Sequence, residues 1–136
     1  MNKADLVAIR SVEPGDKNFI FSTWLKGLRY GNDWFGLIHQ DCYYKAYHPI
    51  IERILSVADV KIACLKEDKD VILGYSVSRS IQGNIVLDFV FVKSAWRNIG
   101  ICRSLIPTNT VAVTHVTKVG RSMLEKHKHV IFDPFI

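Results

Sequence analysis

Hydrophobic positions along the chain follow two spacings, and each change of spacing marks a boundary between predicted elements. Leu6–Val12 is a short apolar run that ends at a Glu-Pro-Gly turn, which predicts a strand. Apolar residues at helical spacing come next, and Asp16 is placed to cap a helix that ends near Tyr30. Pro49 suits the first turn of a second helix, Pro49–Val57, with four apolar residues on its buried side.

The middle of the chain changes to strand character. Val60–Leu65, Val71–Arg79 and Ile85–Lys93 are β-rich runs separated by short polar turns, which predicts an antiparallel meander of three strands. The third run is almost entirely apolar, so we expect it to be central in its sheet and covered on both faces.

The last third alternates between the two spacings. Arg97–Ile106 predicts a helix closed by Pro107, and the remaining segments predict a strand, a helix and a strand. These segments are Thr110–Val116, Lys118–His127 and Val130–Phe135. The predicted order is β-α-α-β-β-β-α-β-α-β, typical of one α/β (α+β) domain over residues 1–136.

Composition narrows the class of protein. The 136 residues are 49% hydrophobic and 23% charged, which suits one packed domain. No apolar run is long enough to span a membrane, and the first residues do not resemble a secretory signal. Three well-separated cysteines, Cys42, Cys64 and Cys102, favour buried thiols in a reducing compartment over disulfides or zinc ligands. We therefore expect a soluble cytoplasmic protein with no metal site and no membrane partner.

The net charge of +5 would suit nucleic acid or a phosphate-rich ligand. The basic residues are scattered, however, and no nucleic-acid-binding motif accompanies them. The charge by itself gives no specific support to nucleic-acid binding.

The most informative stretch is Lys93–Leu105, where an apolar strand leads through a loop into a glycine-bearing helix start. The first turn of a helix has unpaired N–H groups and a partial positive charge, which favour a pyrophosphate. Gly100 would allow that backbone to approach the phosphates closely. One such glycine is a weak signal, which the flanking residues strengthen.

These flanking residues resemble the acyl-CoA signature of the GCN5-related N-acetyltransferases (GNAT), [RQ]-x-x-G-x-[GA] after an aromatic-Arg pair. Trp96 and Arg97 supply the pair, and residues 97–102 match the signature except that Cys102 replaces the second small residue. The order of predicted elements is similar to that family's over nearly the whole chain. The alternative is an unrelated α/β domain with an ordinary strand-to-helix turn.

The resemblance implies a mostly antiparallel, mixed sheet flanked by helices, and transfer of an acetyl group from acetyl-CoA to an unidentified amine. It implies that one half of the third meander strand separates from its neighbour and pairs with pantetheine amides. The cofactor-binding residues would be Val90, Phe91 and Val92 for pantetheine, and Arg97, Asn98, Ile99, Gly100, Ile101 and Cys102 for pyrophosphate.

The resemblance also implies catalytic groups. Asp88, the one acidic residue on Ile85–Lys93, stands where the family often has its general base, although a structural Asp satisfied by a turn or an Arg is an equal alternative. The family's late Tyr, which protonates the leaving thiolate, is replaced by Leu124, and no tyrosine follows Tyr75. Solvent, Ser122 or His115 would have to donate that proton, or the protein does not turn over.

The segment Trp34–Tyr47 is rich in aromatic residues and lies where the family binds its acceptor. Trp34, Tyr43 and Tyr44 would then line an acceptor pocket, or a surface for a partner, or simply belong to the core. The missing Tyr and this segment also motivate a second hypothesis. In it, the fold serves as an inactive binding or assembly module, in a homo-oligomer or a viral or phage particle.

Overall fold

One six-stranded sheet organises the structure, a computed structural model that describes residues 2–136, with Val119 described by its backbone only. The strands lie side by side in sequence order: β1 (Val7–Ser11), β2 (Asp59–Leu65), β3 (Ile72–Ile81), β4 (Asn84–Val92), β5 (Thr110–Val113) and β6 (Ile131–Phe132). From β1 to β4 each strand is antiparallel to the next, whereas β5 is parallel to both β4 and β6. The predicted antiparallel meander and the internal position of its third strand are confirmed.

Five α-helices within residues 2–136 connect and cover the strands. They are α1 (Lys17–Tyr30), α2 (Asp33–Gly36), α3 (Gln40–Val57), α4 (Ile101–Leu105) and α5 (Lys118–Lys126), with short 3₁₀ turns before β1, α1 and α4. The predicted class, one α+β domain with a mixed sheet, is confirmed.

The helix predicted to begin at Pro49 is longer than predicted. It begins at Gln40 and keeps Pro49 inside, where the ring is exposed. A proline in a helix removes one N–H and its hydrogen bond to the carbonyl four residues earlier, here that of Lys45, which is also exposed. Water can solvate that carbonyl, and the helix therefore continues through the proline.

Two other predictions at helix ends are wrong. The helix predicted over Arg97–Ile106 is confined to Ile101–Leu105, since Asn98 and Gly100 have left-handed φ values of 66° and 91°. Asp16 does not cap α1 with its side chain. Its carboxylate instead accepts from the Glu13 N–H at 2.7 Å and forms an ion pair with Arg10.

The sheet carries a core on each face. Helices α1 and α3 cover one face, where Trp24 stacks on Phe89 at 5.0 Å between ring centroids. Helix α4 covers the other face through Ile101 and Leu105, which pack with Leu73 and Val92. Strand β4 contributes to both cores.

A β-bulge interrupts β4 at Asp88. Val77 of β3 pairs with Phe89 and the next residue, Ser78, pairs with Leu87, so Asp88 has no partner in the β3 register. A bulged residue leaves the ladder locally unpaired. This bulge determines the geometry of the site described next.

Candidate functional site

Strands β4 and β5 separate beyond the bulge. Their parallel pairing ends at Leu87 and Val113, and the Thr114 N–H donates to the Leu87 carbonyl at 3.1 Å. From Phe89 to Val92, β4 remains paired with β3 but has no strand on its other side within residues 2–136. We call the opening between Phe89–Val92 and the chain after Thr114 the cleft. Unpaired backbone groups at such an edge are available to a ligand.

The turn that follows β4 is open. In the part of the chain that the structure describes, a side-chain atom built on Gly100 would meet nothing within 4 Å, and no side chain caps the start of α4. The first-turn N–H groups of a helix have no partner inside the helix. A shallow pocket of about 120 Å³ lies between this turn and β1, lined in part by Ala4, Ile99 and Ser104. The turn that sequence reasoning assigned to phosphate therefore has room for a ligand.

Basic side chains surround this end of the cleft. Arg97 is exposed on the turn, and its Nε donates to the Val92 carbonyl at 3.1 Å. Lys93 lies with its Nζ 5.4 Å from the centre of the Phe19 ring. The Lys93 N–H donates to the Leu73 carbonyl of β3, so by alternation along the strand Val90 and Val92 turn their backbone groups towards the cleft. Because Arg97 already occupies the Val92 carbonyl, Val90 offers more of the unpaired edge than Val92 does. Positive charge at this position favours an anionic ligand.

Asp88 is buried and fully engaged. Its side chain has 0% exposure, and its oxygens accept from Arg79 Nε and Nη2, both at 2.7 Å, and from Thr114 Oγ1 at 2.8 Å. Arg79 also donates to the Ile136 carbonyl at 3.1 Å. A general base must reach the proton that it abstracts, and this carboxylate has no accessible oxygen. The geometry favours the alternative role weighed for Asp88, a structural carboxylate satisfied by an arginine.

His115 lies where the cleft begins. Its Nδ1 is 3.1 Å from the Asp88 carbonyl oxygen and 2.8 Å from Thr114 Oγ1. A carbonyl only accepts, so Nδ1 carries the proton in this contact. Within the described part of the chain, Nε2 has no hydrogen-bond partner. The ring therefore presents an unprotonated Nε2.

Rings and charges around His115 hold it neutral. Trp24 and Tyr47 meet its ring edge to face, with centroids 5.4 and 5.9 Å away. Burial lowers the pKa of His115, and Arg79 lowers it further, although the charge and carbonyl of Asp88 oppose the shift. Burial also raises the pKa of Tyr47, so this phenol is uncharged at neutral pH.

The aromatic residues assigned to an acceptor pocket separate in space. Tyr43 is 1% exposed and its hydroxyl donates to the Leu25 carbonyl at 2.6 Å, so its assignment to the pocket is wrong and it belongs to the core. Trp34 is 67% exposed, and the half-buried Tyr44 packs against Tyr43. Only Trp34 and Tyr44 remain accessible to an acceptor.

Sequence reasoning missed two groups at the site, Arg79 and Thr114. Arg79 is nine residues from Asp88, across the β3–β4 turn, and the bulge brings the two side chains together. Thr114 follows the last residue of β5. The sequence signal that could have indicated polar groups at this site is the Thr114-His115 pair, which follows an apolar strand.

Neither a cluster of metal ligands nor a membrane-spanning helix occurs among the described residues. No three His, Cys, Asp or Glu side chains gather in a way that could hold a metal ion. No helix there is both long enough and apolar enough to cross a membrane. Leu124, which stands in place of the expected Tyr, is half-buried on α5.

Comparison with known proteins identifies the fold. No protein-family model and no curated protein matches the chain. Among solved structures, a possible acetyltransferase from Clostridium difficile matches with a TM-score of 0.56 and 14% identity, over 90% of this chain and 88% of that one. The chain has the GNAT fold.

Two further structures resemble the chain. An integron cassette protein from Vibrio cholerae matches with a TM-score of 0.51 and 16% identity, over 90% of this chain and 82% of that one. A GNAT-family acetyltransferase from Staphylococcus aureus matches with a TM-score of 0.49 and 18% identity over 73% of this chain, which spans 60% of that protein's length. At these identities the likeness concerns the GNAT fold and not the activity.

Proposed function

We propose that this protein is an acyl-CoA-dependent N-acyltransferase that moves an acetyl group from acetyl-CoA to an amine. The observation that carries the proposal is the cleft, a strand edge in a GNAT fold that leads directly to an open, positively surrounded turn at Gly100. The proposal treats the chain as one acyl-CoA-binding unit.

The cleft suits the shape and charge of coenzyme A. The Arg97 N–H already donates to the Ser94 carbonyl, so the N–H groups from Asn98 to Cys102, together with the Arg97 guanidinium, would hold the pyrophosphate. The free edge at Phe89–Val92 would pair with the two amides of the pantetheine arm, as one strand pairs with another. From Val92 back to Asp88 the strand rises by about 13 Å, so the arm would run towards the bulge.

The acceptor would approach from the α1–α3 side of the sheet. Trp34 and Tyr44 are accessible aromatic side chains of that region, and Trp24 and Tyr47 frame the start of the cleft. The proposal does not specify which amine is the acceptor, because none of these contacts selects one amine over another.

A turnover assay tests the proposal. The purified protein is incubated with acetyl-CoA and, separately, a polyamine, an aminoglycoside, free amino acids and a lysine peptide, and release of the CoA thiol is followed. We expect thiol release that requires both protein and amine and saturates with acetyl-CoA, with a KM of about 1 µM to 1 mM. A rate that no amine raises above the acetyl-CoA hydrolysis control would count against transfer to these classes of amine.

A further inference from the structure

We propose that His115 is the proton-transfer residue of this acyltransferase, with Nε2 taking the proton from the amine and returning it to the leaving sulfur. The inference rests on the proposed function, and it assigns the chemistry to a residue on β5's C-terminal side instead of Asp88. Position, tautomer and surroundings of the imidazole each support it.

The position follows from the sheet. Among the described residues, Thr114 makes the last backbone–backbone hydrogen bond between the β5 side and β4, and His115 is the next residue. Its Nδ1–H donates to the carbonyl of the bulged Asp88, at the point where the cleft starts. A pantetheine arm that runs from the Gly100 turn along β4 would bring its thioester end to this point.

The tautomer follows from the hydrogen bonds. Thr114 Oγ1 gives its own proton to Asp88 Oδ1, so this hydroxyl can only accept from His115 Nδ1. With both neighbours of Nδ1 acting as acceptors, the neutral ring must hold its proton there. Nε2 keeps its lone pair and has no partner among the described residues. A general base needs such an unprotonated nitrogen to accept a proton from the substrate.

Asp88 and Arg79 act through His115 in this scheme. The Asp88 carboxylate, neutralised by Arg79, holds the Thr114 hydroxyl, and the Asp88 carbonyl fixes the imidazole. These are positioning residues, since the Asp88 oxygens are all occupied and Arg79 acts through its contact with Asp88. Trp24 and Tyr47 restrict the ring from the α1 and α3 sides.

The chemical step balances with one histidine. The amine nitrogen forms the C–N bond with its lone pair, and Nε2 then accepts one N–H proton and becomes Nε2–H⁺. The C–S bond breaks with its electron pair on sulfur, and Nε2–H⁺ protonates that thiolate. The products are an N-acetylated amine and the CoA thiol, with His115 neutral again. This shuttle requires no tyrosine at position 124.

The test compares His115→Asn with His129→Asn. Asn at 115 can still donate to the Asp88 carbonyl but has no basic nitrogen. His129 is exposed and precedes the β5–β6 pairing, whereas His115 follows it, so the two residues lie at opposite ends of these strands. We expect His115→Asn to lower kcat by about 10²- to 10⁴-fold. Its acetyl-CoA dissociation constant, measured by isothermal titration calorimetry, should stay within about twofold of the wild-type value. His129→Asn should leave both quantities unchanged.

Nitrogen NMR of the ¹⁵N-labelled protein provides a readout that does not depend on turnover. We expect the His115 ring to titrate below its ordinary value and to show Nδ1 protonated and Nε2 unprotonated at pH 7. If His115→Asn leaves kcat unchanged, the inference is overturned while the proposed function stands. If NMR shows the proton of the neutral ring on Nε2, the inference is likewise overturned. A wild-type protein that binds acetyl-CoA but transfers its acetyl group to none of the four classes of amine counts against both.

Discussion

Replacing Arg79 by Met is expected to lower the free energy of unfolding by about 3–5 kcal/mol, because it leaves the Asp88 carboxylate buried without its counter-charge. The Asp88 side chain has 0% exposure and Arg79 supplies two of its three side-chain hydrogen bonds. A domain of this size is stable by only about 5–15 kcal/mol, so the change should be large in a urea unfolding curve.

Two variants serve as controls for this prediction. Arg79→Met combined with Asp88→Asn should recover part of the lost stability. The amide that replaces the carboxylate is neutral, so the double variant buries no unpaired charge. Lys69→Met breaks the exposed pair with Glu13 and should change stability much less, since water screens that pair. If Arg79→Met unfolds at the same urea concentration as Lys69→Met, the buried ion pair does not stabilise the site as described.

Gly100→Asp is expected to weaken acetyl-CoA binding by at least tenfold. Space at Gly100 is open, so an Asp side chain would fit, and its charge would lie beside the pyrophosphate. Two unit charges about 4 Å apart repel by roughly 1 kcal/mol in water and 4 kcal/mol near a protein surface, and 1.4 kcal/mol is a factor of ten in affinity.

Gly100→Asn is the matched control for this variant. The backbone at Gly100 has φ of +91°, which strains any side chain, and Asn and Asp share that strain while differing in charge. Isothermal titration calorimetry should therefore show a much smaller loss for Asn than for Asp. Equal losses would mean that backbone strain, and not repulsion of the phosphates, weakens binding.

Periodicity predicted most of the fold because most elements bury one regular face. The apolar run of β4 correctly indicated a strand covered on both faces, and the helical spacing of α1 survives with Ile20, Trp24 and Leu28 in the core. The start of α3 could not be predicted in this way. A proline normally favours a helix start, and only the exposure of this stretch, a tertiary property, lets the helix pass through Pro49.

Only part of the candidate site could be predicted from the sequence. The turn at Gly100 has a local signature, so its position could be predicted from residues 96–102. The roles of Asp88 and His115 depend on one bulge, which shifts the pairing of β4 and brings together Arg79, Asp88 and Thr114. A bulge of this kind has no reliable sequence signal, and Asp88 therefore resembled a free carboxylate on an apolar strand. The cytoplasmic location, the oligomeric state and a phage origin remain predictions.

Titration of the wild-type protein with acetyl-CoA tests the central claim most directly, because everything functional depends on the cleft and the Gly100 turn holding that molecule. The account predicts saturable binding to one site per chain, with half-saturation in the range of about 1 µM to 1 mM that enzyme KM values span. It also predicts competition by free coenzyme A, which shares the pyrophosphate and pantetheine arm. No heat of binding, together with no displacement of a labelled coenzyme A at millimolar acetyl-CoA, would contradict it.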